Sequence, residues 1–250
     1  ANALNYTAVV NGRKIFLRGF NWVPISPFYG DVRFEDYEKY LQRMNDMNAN
    51  ILRVWGGAVL ESEDFYNLCD KYGILVWQEF PQSSSCIDNT PCEEREFLDR
   101  LAEVAREHIL QRRHHVCHAV WCGGNELLHY NAVPADLRSP NLHMLSELVR
   151  ILDPDKHFLP ASPSGNHFNF CEAEVGKGFN HDVHGPWDYL GESEHYRINN
   201  INDSLFSSEI GCTAMPRLET LEKYSLGMPL WPPDESNYYC MHRGAWWIRL

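Results

Sequence analysis

No stretch of 18 consecutive apolar residues occurs in this chain, so no segment reads as a membrane-crossing helix. A basic excess is lacking too: 22 Lys and Arg stand against 34 Asp and Glu, a formal net charge of −12. That balance argues against nucleic acid or an anionic membrane surface as partner, because phosphate binding is carried by Lys and Arg. A neutral substrate fits better. Nor is there a disulfide framework, although the chain has eight cysteines. Cys69, Cys117 and Cys122 fall inside apolar segments, where a thiol behaves as a small hydrophobe, and only Cys86 and Cys92 share a loop in which they could bridge. A chain of this size does not need disulfides, so the compartment stays open between cytoplasmic and periplasmic or secreted. No secretory leader begins the sequence, though one could have been removed.

What is present is ordinary for one globular domain: 250 residues, 44% hydrophobic and 22% charged. The aromatic share is 13% and includes eight Trp, several beside Gly or Pro. Flat aromatic faces suit the C–H faces of sugars, but most such residues fill cores.

Short apolar runs alternate with amphipathic segments along the chain. Strand candidates are Ile15 to Trp22, Ile51 to Trp55, Ile74 to Phe80, Ala119 to Cys122, Phe158 to Ala161, His181 to His184 and Leu205 to Ser208. Helical stripes at spacings of three and four lie between them: Tyr37, Tyr40, Leu41, Met44 and Met47; Phe65, Leu68, Cys69 and Tyr72; Phe97, Leu101, Val104, Ala105, His108 and Ile109; and Leu142, Leu145, Leu148, Val149 and Leu152. Near-continuous apolar strands alternating with helices predict a parallel sheet covered by helices, and seven of them suggest a (β/α)8 TIM barrel. No clear eighth strand follows: the tail from Met215 holds a helix-like Leu218-Leu221-Tyr224 segment, Pro232-Pro233 and Trp246-Trp247. A barrel short of one strand leaves two unpaired edges, a possible route to self-association.

Two of the strand-like runs end in a carboxylate: Trp121-Cys122-Gly123-Gly124-Asn125-Glu126 and Ser207-Ser208-Glu209-Ile210-Gly211. Either glutamate alone reads most simply as a solvated loop charge. A charge that ends a buried run is nevertheless costly unless it is paired or used. Two carboxylates at the C-terminal ends of different barrel strands are what glycoside hydrolysis needs, one to protonate the leaving oxygen and one on the other side of the anomeric carbon.

Six runs in this order, Gly19-Phe20-Asn21-Trp22-Val23-Pro24, Leu52-Arg53-Val54-Trp55-Gly56-Gly57, Phe65-Tyr66-Asn67-Leu68-Cys69-Asp70, Gly73 to Phe80, Trp121 to Glu126 and Ser208-Glu209-Ile210-Gly211, closely resemble the catalytic barrel of family 2 glycoside hydrolases, above all its β-mannosidase-like branch. The resemblance runs from about Val10 past Glu209. It implies a retaining exo-β-glycosidase acting on a glycoside or oligosaccharide, with Glu126 as acid/base and Glu209 as nucleophile. Asn125 matches the residue that bonds the sugar 2-hydroxyl, and Arg53 the arginine that supports the nucleophile. Trp22, Trp55, Glu79, His184 and Trp187 match positions lining the pocket. It further implies carboxyl groups about 5–5.5 Å apart and a Glu126 pKa raised by burial and by the neighbouring charge. β-Sandwich domains before the barrel and an eighth strand beyond Leu250 are expected from the same resemblance, so residues 1–250 read as one excised catalytic domain.

Two competitors remain. His114-His115-Val116-Cys117-His118 offers zinc-type ligands, but adjacent residues seldom converge on one ion, and the cluster precedes its strand, on the side away from catalysis. A basic turn at a helix C-terminus, with Arg112 and Arg113 complementing the dipole, is the simpler account, and neither metal nor cofactor is expected. The other competitor is a sugar-binding barrel without activity. The sugar itself stays open between mannose, glucose, glucosamine and galactose specificities.

Overall fold

A computed structural model describes residues 3–84, 88–211 and 216–230. These form two compact units, residues up to His184 together with 203–209, and residues 185–202 together with those from Ile210 onward.

The first unit opens with a hairpin of β1 (Ala8–Val10) and β2 (Arg13–Ile15). The strand expected to run from Ile15 to Trp22 is therefore two elements. It breaks where the Arg18 N–H donates to the Asn50 side chain at 2.9 Å, and β3 starts at Gly19 (Gly19–Trp22). Then follow α1 (Phe34–Asp46), β4 (Ile51–Val54), α2 (Glu63–Tyr72), β5 (Leu75–Glu79), α3 (Arg95–Arg112), β6 (His118–Cys122), α4 (Pro140–Leu152), β7 (His157–Leu159), β8 (Asp182–His184) and β9 (Phe206–Glu209). Strands β3 to β7 pair in sequence order, all parallel, and β8 pairs with β9, also parallel. The chain beyond β7 meets β8 through Asp182 N–H to Ser164 C=O at 3.2 Å. Seven parallel strands of a β/α barrel are thus in place, and the ring is not closed among the described residues. The second unit contains α5 (Glu192–Ile201) and α6 (Leu218–Tyr224). The expected features at Pro232-Pro233 and Trp246-Trp247 lie outside the described residues.

Local chemistry fixes these boundaries. Ser62 caps α2 by accepting from the Phe65 N–H, and Gly73 ends it at φ 68°, a left-handed conformation that costs a residue with a Cβ. Helices α1 and α2 bury Tyr37, Leu41, Phe65, Tyr66 and Leu68 against the outer face of β3, β4 and β5, while α3 and α4 bury Leu101, Ile109, Leu142 and Leu145 against Phe80 and Trp121. The barrel interior is filled from below by Ile51, Trp77, Cys122 and Leu159, with Trp77 stacked on Phe206 at a 5.7 Å ring separation. Above that apolar plug the inward positions turn polar.

Candidate active site

Parallel register sets Asn21 opposite Arg53, and Glu79 projects on the same face of β5 as Trp77, two residues earlier. Arg53 is 4% exposed and Glu79 1%. The guanidinium spreads over four partners: Glu79 Oε1 at 2.8 Å, Asn21 Oδ1 at 3.0 Å, Glu209 Oε2 at 3.2 Å and Asn125 Oδ1 at 2.6 Å. The second oxygen of Glu79 accepts the Gly56 N–H at 2.7 Å, so this buried charge is fully engaged.

Beyond β6 the backbone squeezes past its neighbour. A Cβ on Gly123 would fall 2.1 Å from the carbonyl oxygen of Pro160, so only glycine fits. Asn125 then bridges Ser83 and Ser162, and Glu126 turns into the left-handed region at φ 53°. Such a conformation in a non-glycine residue costs on the order of 1–3 kcal/mol and clusters at functional sites. It aims the Glu126 carboxylate at His184 Nδ1, 3.1 Å away, and at Ser84, whose hydroxyl donates at 2.9 Å. The same Nδ1 lies 3.6 Å from Glu209 Oε2. One oxygen of Glu126, one of Glu209 and a ring nitrogen of His184 all lie within 4.8 Å of one another.

Glu126 is held below the usual carboxylate range. The hydrogen bond with His184 is the main cause, with the Ser84 hydroxyl and the Arg53 charge adding to it, and together they outweigh partial burial. This corrects the expectation of a raised value: the side chain is only half-buried, and two close donors stabilise its anion. Beneath His184, which is wholly buried, lies Asp182, also wholly buried. Burial pushes Asp182 up to about 6, against the opposing pull of His184, of two bonds from Ser208 and of Arg53.

The structure thus gathers Asn125, Arg53, Glu79, His184, Glu126 and Glu209 in one place. Trp22 is not among them: it is 5% exposed, packed on Phe65 at 5.0 Å, and its indole N–H donates to Glu61. It is a core residue because its inward neighbour Asn21 takes the site-facing position of β3. Trp55 is half-buried just past β4, its ring filling the space where a Gly57 side chain would stand. Trp187 belongs to the second unit and is 38% exposed. Ser84, Ser162, Asp182 and Ser208 escaped the sequence reading. Asp182 carried a usable signal, since it sits two residues before His184 in a strand and so shares its face; serines carry none.

Two further groups of metal-type ligands approach within 4.8 Å: Glu63 with His114 and His115, and Asp70 with His115 and Cys117. His115 Nδ1 lies 2.8 Å from Asp70 Oδ2, Asp70 also accepts the Cys117 N–H at 2.7 Å, and burial raises the Cys117 thiol, keeping it protonated. Arg112 donates to Glu63 at the start of α2 at 2.7 Å, and Arg113 donates to the carbonyl of Leu152, the last residue of α4, at 2.7 Å, so the two arginines serve neighbouring helices. Cys92 is a free thiol; its suggested partner Cys86 lies outside the described residues.

The fold and site thus define a parallel β/α barrel that gathers two glutamates, an arginine and a histidine at its strand ends. The chain belongs to the glycosyl hydrolases family 2, whose TIM barrel domain matches residues 4–206. It is 28% identical to beta-mannosidase B of Emericella nidulans over 234 residues, 86% of this chain and 27% of that protein. With the beta-mannosidase of Rattus norvegicus it shares 29% over 238 residues, 89% of this chain and 26% of the relative. The crystal structure of a beta-D-mannosidase from Dictyoglomus thermophilum superposes with a TM-score of 0.68 at 29% identity, covering 86% of this chain and 26% of that one. The chain spans about a quarter of the length of these relatives.

Proposed function

We propose that this chain is the catalytic barrel of a retaining exo-β-glycosidase of β-mannosidase type, with Glu209 as nucleophile and Glu126 as acid/base. The observation that supports this most is the short separation of the two carboxylates, with oxygens within 4.8 Å. Direct attack on the anomeric carbon calls for carboxyl groups about 5–5.5 Å apart, whereas inversion leaves room for a water at about 6.5–9.5 Å. In this reading Arg53 pairs with Glu209 and orients its attacking oxygen, and Asn125, held by Arg53 and Ser83, presents its amide to the sugar 2-hydroxyl. A mannoside is the favoured substrate because the relatives at 28–29% identity given above are named beta-mannosidases.

Double displacement gives the two glutamates different phenotypes in the intact protein. Glu209→Ala should abolish hydrolysis of nitrophenyl β-mannoside, and added azide should restore a glycosyl azide of inverted configuration, since the anion enters the space the nucleophile left. Glu126→Ala should still form the glycosyl-enzyme from substrates whose leaving group needs no protonation, and azide should then yield the retained product. Hydrolysis that survives both substitutions would overturn the assignment. Sugar affinity without turnover on any β-glycoside would favour a binding barrel instead.

A further inference from the structure

The hydrogen bonds beneath His184 leave a proton unaccounted for. Asp182 accepts the Ser208 N–H at 2.9 Å on one oxygen, and the Ser208 hydroxyl lies 2.8 Å from the other. An ionised carboxylate only accepts, so the Ser208 hydrogen is committed to Asp182. Ser162 Oγ lies 2.8 Å from Ser208 Oγ, and both hydroxyl oxygens lie close to His184 Nε2, at 3.0 and 3.1 Å. If Nε2 carried a lone pair, Ser162 could donate to it, but the Ser208 contacts with Nε2 and with Ser162 would each press two electron pairs together. If Nε2 carries the hydrogen, Ser162 donates to Ser208 and every contact in the group is a bond. The second arrangement leaves no conflict.

Nδ1 then faces carboxylate oxygens at 3.1 and 3.6 Å. A neutral imidazole with its hydrogen on Nε2 would oppose its lone pair to both. We propose that Asp182, Ser208 and Ser162 act as positioning residues that fix the hydrogen of His184 on Nε2, and so compel a second, mobile proton to sit between Nδ1 and Glu126, where it serves as the acid's proton. The inference rests on the glycosidase reading for its use, though not for its existence. The charges around it agree: among the described residues Glu126 and Glu209 face Nδ1, Asp182 lies on the same face two residues before His184, and Arg53 is paired with Glu209. In the first half-reaction this proton passes to the glycosidic oxygen as that oxygen takes the electron pair of its bond to the anomeric carbon, and Glu209 forms the new C–O bond. Glu126 is left as carboxylate beside a neutral His184. In the second half, the attacking water returns a proton to the pair as its oxygen displaces Glu209.

The arrangement also explains why Glu126 is lowered and can still be an acid, since the proton belongs to the pair and not to either group alone. The test reads proton position directly, by nitrogen-15 shifts of His184 in the full chain labelled at histidine, the signal being assigned by its loss in His184→Gln. At pH 7 Nε2 should be protonated. Asp182→Asn should reverse this, because its amide donates to Ser208 Oγ and frees the Ser208 hydrogen for Nε2. Ser208→Ala should reverse it by releasing Ser162, whereas Ser208→Thr, which keeps the hydroxyl, should match the parent. In the intact enzyme, Asp182→Asn should lose at least tenfold more kcat/KM on alkyl than on dinitrophenyl β-mannosides, since only the former require the acid. An unprotonated Nε2 in the parent, or equal losses on both substrates, would overturn the proposal. Protonated Nε2 with no turnover on any glycoside would uphold the proton placement and sink the glycosidase reading.

Discussion

Arg53 ties four side chains of the site together. Its charge is buried and divided among two carboxylates and two amides, so its removal strands Glu79 in a pocket with 1% exposure. Arg53→Met should cost about 3–5 kcal/mol in denaturant melts, the penalty of an uncompensated buried charge. Adding Glu79→Leu should recover most of that loss while leaving the site without its scaffold, a result that would separate stability from function. At this scale the sequence was most informative about charged groups. A carboxylate ending an apolar run advertises itself by its burial cost, which is how Glu126 and Glu209 could be named, whereas Arg53 and Glu79 came from the family resemblance alone. Trp22 misled because an aromatic residue at a strand end serves a core as readily as a pocket, and only the neighbouring Asn21 decides which. The serines that organise His184 were invisible, since a hydroxyl costs little in either setting.

Helices and strands were legible where the apolar pattern was regular, as in the stripe of α2, whose caps Ser62 and Gly73 the structure supplies, and in the apolar strands β4, β5 and β6. The first strand was misjudged because its run of residues hides a change of partner at Arg18, which depends on the distant Asn50. Two glycines show how differently an element end can be constrained. Gly73 needs a positive φ but faces open space, so Gly73→Ala should cost only the left-handed penalty of about 1–2 kcal/mol. Gly123 is limited by the backbone of the adjoining strand, and Gly123→Ala should cost about 3 kcal/mol or more while pushing Asn125 and Glu126 out of register. Thermal melts of the two variants, read beside activity, should show a stability loss alone for the first and both losses for the second.

For the molecule as a whole, acid is the sensitive direction. His118 is wholly buried against Trp121, and burial lowers it to about 3, while burial and the Arg112 charge lower His108 to about 4. Both stay neutral in the fold, so the unfolded chain takes up protons first, near 6.5. Stability is therefore intact above that pH and declines as pH falls toward 4 and 3, by about 2 kcal/mol for each histidine at pH 5. A falling Tm between pH 7 and 5, relieved in His118→Phe, would confirm it. The order of strands in the barrel carries one more consequence. From β3 to β7 every pairing joins strands consecutive in the chain, so this part of the sheet can assemble by short closures. The contacts of the site close far longer loops, with Arg53 and Glu209 separated by 156 positions and Glu126 and His184 by 58. Loop-closure entropy places such contacts late in folding, and what forms late opens first. The candidate site of this barrel is thus mounted on its last-formed and most readily released contacts, over a sheet that can persist while they come apart.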